Sequence, residues 1–256
     1  MDILVPLTDT PADASAMQLA AALVGARGGH VTLVQPVESP LPDVARTEVP
    51  PRVATLLRRV AQWSVPHDIQ IEDGRAERPV DAIALRAQGF DQVIMACAGH
   101  DHAERRLQHA QFSSLVSRSG RPILALPGRT RFDGIFKRAV IGWSATPESA
   151  RAAHDFLSLD FACALVVTTV DGSDRVNEHA QAFVNSLVRQ GREATFTPVS
   201  SYGRSVAEAL LGHAFDSQAD LLVCGAYGHS RAREWLLGGT TRELFERTLT
   251  PLFLSR

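Results

Sequence analysis

The chain is short of the features that mark several large functional classes. It has three cysteines, Cys97, Cys163 and Cys224. An odd number without C-x-x-C spacing, each in or beside an apolar run, argues against a disulfide framework or a zinc cluster and for reduced, buried thiols, which predicts a cytoplasmic protein. No apolar stretch approaches the ~18 to 20 residues of a membrane helix, and the opening MDILVPLTDT lacks the basic and apolar regions of a secretion signal. Neither sign of charge is in excess. With 26 lysines and arginines against 28 aspartates and glutamates, the formal charge is -2, so no chain-wide field draws in nucleic acid or an anionic membrane. An anion site has to be local. Missing as well are the P-loop pattern G-x-x-x-x-G-K-[ST] and an acidic cluster for magnesium.

What the chain does have is a repeat of itself. At 256 residues it is long enough for two compact domains. LVPLTDTP (Leu4 to Pro11) aligns with VIGWSATP (Val140 to Pro147), DQVIMACAGH (Asp91 to His100) with DLLVCGAYGH (Asp220 to His229), and RPILALP (Arg121 to Pro127) with TPLFLSR (Thr250 to Arg256). The offset stays between 129 and 136 residues, which one duplication explains. The boundary falls in the basic, glycine-containing segment GRTRFDGIFK, so the expected domains are residues 1–130 and 137–256.

Each half alternates short β-rich apolar runs with segments of helical period, the pattern of parallel strands joined by crossover helices. In the second half the strands read as Ala139 to Trp143, Ala164 to Val170, Ala194 to Val199, Leu221 to Gly225 and Leu252 to Leu254. Ala207, Leu210, Leu211, Ala214 and Phe215 form one expected apolar helix face. Thr10-Pro11 and Thr146-Pro147 read as helix starts, threonine as N-cap and proline at the first helical position. The fold class is α/β, with two tandem Rossmann-like domains, each a five-stranded parallel sheet flanked by helices.

Four of the eighteen glycines lie in CGAYGHSRAREWLLGGTTREL, Cys224 to Leu244. This is the loop leaving the fourth strand of the second half. In an open parallel sheet, ligands sit at the carboxyl ends of strands where strand order reverses. Gly225 and Gly228 would turn the chain off the strand, with His229 and Ser230 next to them. Gly238, Gly239, Thr240 and Thr241 would open the following helix, whose free N–H groups and positive dipole end attract an anion. Arg231 and Arg233 read as solvated or salt-bridged, Trp235 as packing, and Cys224 as a buried inert thiol. His100, His102 and His109 lack further ligand-like spacing, so no metal is expected. No nucleophile and base pair can be placed together, and no catalytic residue is assigned.

The spacing G-x-x-G, nine residues, then G (Gly225, Gly228, Gly238) resembles the nucleotide-binding signature of the universal stress protein (UspA-like) family. VIGWSATPESA resembles that family's first strand and turn, and the two halves together resemble a tandem member. The resemblance covers nearly the whole chain. It implies two adenine nucleotide alpha hydrolase-like domains, a cytoplasmic stress-response protein rather than an efficient enzyme, and at most very weak ATP hydrolysis. It also implies ATP or another adenine nucleotide, or a small anion, at Gly225, Gly228, His229, Ser230, Gly238, Gly239, Thr240 and Thr241, beside Trp143 and Ser144. Two departures bear on this. The family's aspartate after the first strand is replaced by Thr8, with Asp9 one residue late, and by Ser144. A hydroxyl replaces a charge-assisted acceptor there, which lowers expected nucleotide affinity. In the first half Ala96, His109, Ala110 and Phe112 stand for Gly225, Gly238, Gly239 and Thr241, so that half is expected to lack a phosphate cradle. The alternative is an interaction or scaffold protein that has lost its ligand. Neither reading calls for nucleic acid or membrane partners. The halves are expected to pair through their fifth strands as an intramolecular pseudo-dimer, with a homodimer of chains as the alternative assembly.

Overall fold

The computed structural model describes residues 1–8, 12–36, 55, 58, 60–72, 78–97, 102–127, 136–226 and 239–256. The chain divides into two compact units, Met1–Gly134 and Ile135–Arg256.

In the first unit the strands are β1 (Asp2–Pro6), β2 (His30–Pro36), β3 (His67–Glu72), β4 (Gln92–Ala96) and β5 (Ile123–Leu126). All pair in parallel, in the order β3-β2-β1-β4-β5. Ile3, Leu4 and Val5 of β1 and Val93, Ile94, Met95 and Ala96 of β4 are fully buried. Strands covered on both faces by helices need side chains that are apolar at every position rather than at alternate ones. The helices are α1 (Asp13–Arg27), α2 (Pro79–Arg86) and α3 (His102–Arg118). The Ser114 hydroxyl donates to the buried Asp81 carboxylate at 2.6 Å and ties α3 to α2.

The second unit repeats the plan with β6 (Arg138–Gly142), β7 (Ala164–Thr168), β8 (Ala194–Phe196), β9 (Leu221–Gly225) and β10 (Leu252–Ser255). Its order is β10-β9-β6-β7-β8, again parallel. The helices are α4 (Pro147–Ser158), α5 (Asp174–Arg189), α6 (Val206–Asp216) and α7 (Gly239–Arg247). Thr146 caps α4 with Pro147 in the first turn, and Ser149 returns the bond in a capping box; Ser205 and Glu208 do the same for α6. Each cap satisfies amides that the helix cannot pair itself.

Successive strand residues point to opposite faces, and β6 shows what covers each. A side chain at Gly142 would meet Leu210 of α6, whereas Trp143 stacks on Phe183 of α5, which also meets His154 of α4. So α4 and α5 share one face of the second sheet and α6 lies on the other. Arg247 of α7 pairs with Glu208 of α6 at 2.7 Å.

Three details differ from the sequence reading. β7 ends at Thr168 and β8 at Phe196, and the pairing goes on past them through the isolated bridge Val170 to Val199, with Thr197 N–H donating to Val167 O and Val199 N–H to Thr169 O, each at 2.9 Å. On α6, Ala207, Leu210 and Ala214 are buried, Leu211 is half-buried, and Phe215 is 78 % exposed rather than docked. At about 100° per residue, Phe215 lies beyond the arc that the three buried positions define, so it faces solvent.

Candidate functional site

The second sheet reverses its strand order between β6 and β9. Val140 pairs with Leu222 and Ile141 with Val223, so the loops leaving the carboxyl ends of these strands start side by side. That is where an open parallel sheet takes a ligand.

Gly225 ends β9. A Cβ there would stand 2.6 Å from Glu148 C and from Ser149 N, and 2.8 Å from Glu148 O. The first turn of α4 therefore rests directly on the Gly225 backbone. Its φ lies outside the left-handed region, so this glycine is required by close approach and not by conformation. Ala226 N–H donates to Ser255 O at 2.8 Å and carries the chain off the sheet.

On the neighbouring strand, Trp143 N–H donates to Thr168 O at 2.7 Å, and the indole stacks on Phe183 with centroids 4.5 Å apart and planes 16° from parallel. One indole face is thus spent inside the α5 layer, while the buried Nε1 has no hydrogen-bond partner among the described residues. Ser144 is exposed; its N–H donates to Ser149 Oγ at 3.4 Å and its hydroxyl lies 3.2 Å from Thr146 Oγ1. Of the glycine-loop positions, Gly239 and Thr240 are exposed in the first turn of α7, with open space around a Cβ built on Gly239, and Thr241 is 4 % exposed. Gly228, His229, Ser230 and Gly238 lie outside the described residues, as do Asp9, Thr10 and Pro11.

The first unit carries bulky side chains at the aligned positions. Helix α3 starts at His102 and runs through to Arg118 without a break. His109, Ala110 and Phe112 therefore sit within the helix, where interior amides are committed to the preceding turn. Gln108 and Gln111 are fully buried, Phe112 is 1 % exposed, and Gln111 Nε2 donates to Leu7 O at 3.2 Å. At the end of β1, Thr8 donates its N–H and its hydroxyl to the two Asp13 oxygens, at 2.9 and 2.7 Å.

Asp13 is the residue that sequence reasoning missed. It occupies the position of Ser149 in the alignment of the halves, and Ser149 Oγ likewise accepts from the Ser144 and Thr146 amides. The first unit does keep a buried carboxylate near β1, five residues past Thr8 in the first turn of α1, and spends it on its own chain. The only available signal was the alignment of Asp13 with the cap-completing Ser149.

Burial pushes the Cys224 thiol up to about 12, and burial together with the nearby Asp220 charge pushes Cys163 up to about 11. Burial raises Cys97 too. A thiol held protonated is a poor nucleophile. Among the described residues no group of three or more His, Cys, Asp and Glu side chains is arranged to hold a metal. Among them, too, no helix is long and apolar enough to cross a membrane.

No protein-family model matches the chain, and no curated protein matches it. Solved structures do. A universal stress protein from Archaeoglobus fulgidus DSM 4304 superposes with TM-score 0.78 at 14 % identity, over 100 % of this chain and 96 % of that one. A functionally unknown protein from Pseudomonas aeruginosa PAO1 gives 0.62 at 15 %, over 99 % and 92 %. The cytoplasmic domain of a prokaryotic cation chloride cotransporter gives 0.54 at 12 %, over 99 % and 94 %. The chain has the tandem universal-stress-protein fold.

Proposed function

We propose that the chain is a tandem universal stress protein, non-catalytic and cytoplasmic, whose second unit binds an adenine nucleotide or another small anion at the carboxyl ends of β6 and β9. The observation that carries this reading is the difference between the two units at one place. In the first, the fully buried Gln111 of α3 donates to Leu7 O; in the second, the aligned Thr240 and its neighbour Gly239 are exposed. An exposed glycine and threonine at that point leave room for a ligand where the first unit has a carboxamide, and free amides with a positive dipole end at a helix start favour an anion. Gly225, Gly228, His229, Ser230, Gly238, Gly239, Thr240, Thr241 and Ser144 make up the proposed contact set. Trp143 contributes its Nε1–H, since one face of its ring already lies on Phe183.

Isothermal titration of the full chain with ATP, ADP, AMP and inorganic phosphate tests the reading. Binding of at least one of them, abolished by Gly228→Val in a variant that still melts cooperatively, supports it. Absence of heat with all four, together with an unchanged melting temperature, refutes it.

A second reading is favoured by the Ser144 hydroxyl, which lies against Thr146 where a ligand-binding carboxylate would be free to point outward. On that reading the chain is a scaffold that has lost its ligand, its halves paired as a pseudo-dimer or its chains as a homodimer. Sedimentation of the full chain with and without nucleotide separates the two: a ligand-independent dimer that binds no nucleotide favours the scaffold.

A further inference from the structure

Each unit's sheet ends in an outer strand that, among the described residues, pairs on one side alone: β3 on β2 in the first, β8 on β7 in the second. An outer strand presents a row of main-chain donors and acceptors to any other strand, and proteins blunt such rows with short strands, proline, bulges or lysine. The two units do so unequally. In β8, Leu165 N–H donates to Glu193 O at 2.8 Å and Thr197 N–H to Val167 O at 2.9 Å. Glu193, Thr195 and Thr197 therefore turn their main-chain groups toward β7, and Ala194, Phe196 and Pro198 turn theirs outward. β8 has 3 residues, and Pro198 just past its end has no N–H to offer. In β3, Val31 N–H donates to Pro66 O at 3.0 Å, so the main chain of Asp68 and Gln70 faces β2 and that of His67, Ile69 and Ile71 faces outward. β3 has 6 residues in unbroken register with β2, and neither proline nor lysine is among them.

The charges of β3 do not blunt it either. Asp68 accepts from the Thr32 hydroxyl at 2.7 Å and from Gln70 Nε2 at 2.6 Å, and Glu72 pairs with Arg86 of α2 at 3.0 Å. Both acids are compensated inside the unit. On the other face of the strand Ile69 is half-buried and Ile71 is 37 % exposed.

We propose that β3 is a self-association edge, to which a second copy of the chain adds its own β3, antiparallel, about a twofold axis at Ile69. The charge pattern selects this occupant. A ladder forms only where outward-facing residues meet outward-facing residues, so the axis has to pass through a residue of the strand. With the axis at Ile69, that residue meets the partner's Ile69, His67 meets the partner's Ile71, and Asp68 meets the partner's Gln70. Each outward residue then exchanges two hydrogen bonds with its opposite, and each Asp68 carboxylate stands across from a carboxamide. Moving the axis by one residue sets Asp68 across from the partner's Asp68 in one direction and from the partner's Glu72 in the other. Like charges directly opposite destabilise a pair. β3 is complementary to itself in one register, and this holds whether or not the second unit binds a ligand.

Sedimentation velocity of the full chain across the micromolar range tests the proposal, with a monomer–dimer equilibrium as the expected result. Ile71→Lys, which puts a charge on the edge, is expected to weaken the dimer by roughly 10-fold or more while the chain still melts cooperatively. Ile71→Pro, which removes an outward N–H as Pro198 does beside β8, is expected to do the same. Disulfide formation reads the register. Opposed hydrogen-bonded residues of an antiparallel pair have Cα atoms about 5.5 Å apart, within disulfide range, so oxidised Ile69→Cys is expected to crosslink two copies. Ile71→Cys is not, because its counterpart lies about 13 Å further along the partner strand; wild-type chain oxidised alongside controls for the half-buried Cys163. A dimer that keeps its affinity in both Ile71→Lys and Ile71→Pro overturns the proposal, as does crosslinking of Ile71→Cys to the same extent as Ile69→Cys. A chain that stays monomeric throughout overturns it too, and assigns the edge to a different polypeptide.

Discussion

Substituting Gly225 with alanine adds one carbon, and the structure places that carbon 2.6 Å from Glu148 C and Ser149 N and 2.8 Å from Glu148 O. These are backbone atoms of a capped helical turn, so no side chain can rotate aside. Either β9 moves within the sheet, where Leu254 pairs with Cys224 and Ser255 with Gly225, or the first turn of α4 lifts. Lifting is the cheaper response, because it disturbs one capping box and not a parallel ladder. Overpacking costs about 1 to 3 kcal/mol, and loss of the Thr146 cap adds about 1 kcal/mol. A total of about 2 to 4 kcal/mol corresponds to a fall of roughly 8 to 15 °C in melting temperature for a unit of this size. Scanning calorimetry of the full chain reads it, with the transition of the second unit expected to move and that of the first to stay. Gly239→Ala is the built-in control, since nothing lies within 4 Å of its Cβ; it should change stability by less than about 1 kcal/mol. If the two variants melt together, the contact between Gly225 and α4 does not have the tightness on which the reasoning depends.

Other perturbations reach different parts of the chain. Burial by itself would raise the Asp81 pKa, but the Ser114 hydroxyl and the Arg78 and Arg118 guanidinium groups hold it below the usual carboxylate value. A depressed folded-state pKa gives stability that is complete above the unfolded value of about 4 and lost as the pH falls through the folded value. Asp81→Asn should therefore cost about 1 to 3 kcal/mol at pH 7, and urea unfolding should show the gap narrowing below pH ~4; an unchanged gap at low pH refutes the pairing. Thr8→Val removes the hydroxyl that Asp13 Oδ1 accepts from at 2.7 Å and should destabilise the first unit by about 1 to 3 kcal/mol, measured by the same unfolding assay. Cys224, whose thiol is pushed up to about 12, should stay unmodified by a thiol reagent in native protein at pH 7.5 and react on unfolding; rapid native labelling by mass spectrometry contradicts its burial.

The parts of the fold that the sequence disclosed are those set by periodicity and by short-range chemistry. Duplication and alternating β and helical patterns are visible because both strands and amphipathic helices write their period into the chain. Thr146-Pro147 was legible for the same reason: a cap bonds within three residues. Phe215 was misread because, at about 100° per residue, the i+8 position falls about 80° from Ala207, outside the arc that Ala207, Leu210 and Ala214 define. Asp13 escaped notice because a carboxylate was sought next to β1, whereas the chain brings one back from the first turn of α1.

The same duplication that made the fold readable also isolates the functional question. Both units share strand order and the hydrogen bond from the residue after the first strand to the first helical turn: Thr8 to Asp13 in one, Ser144 to Ser149 in the other. What separates them, among the described residues, is the side chain at one aligned position of the last helix. In the first unit the helix runs unbroken through that region and inserts a carboxamide against Leu7 O. That buried glutamine occupies the strand-end carbonyl in the first unit. In the second unit the aligned position is Thr240, exposed beside Gly239. Two units that arose as copies and still share their packing should fold with similar demands on their cores. Selection for folding alone gives no reason for a fully buried glutamine at that position in one unit and an exposed threonine in the other.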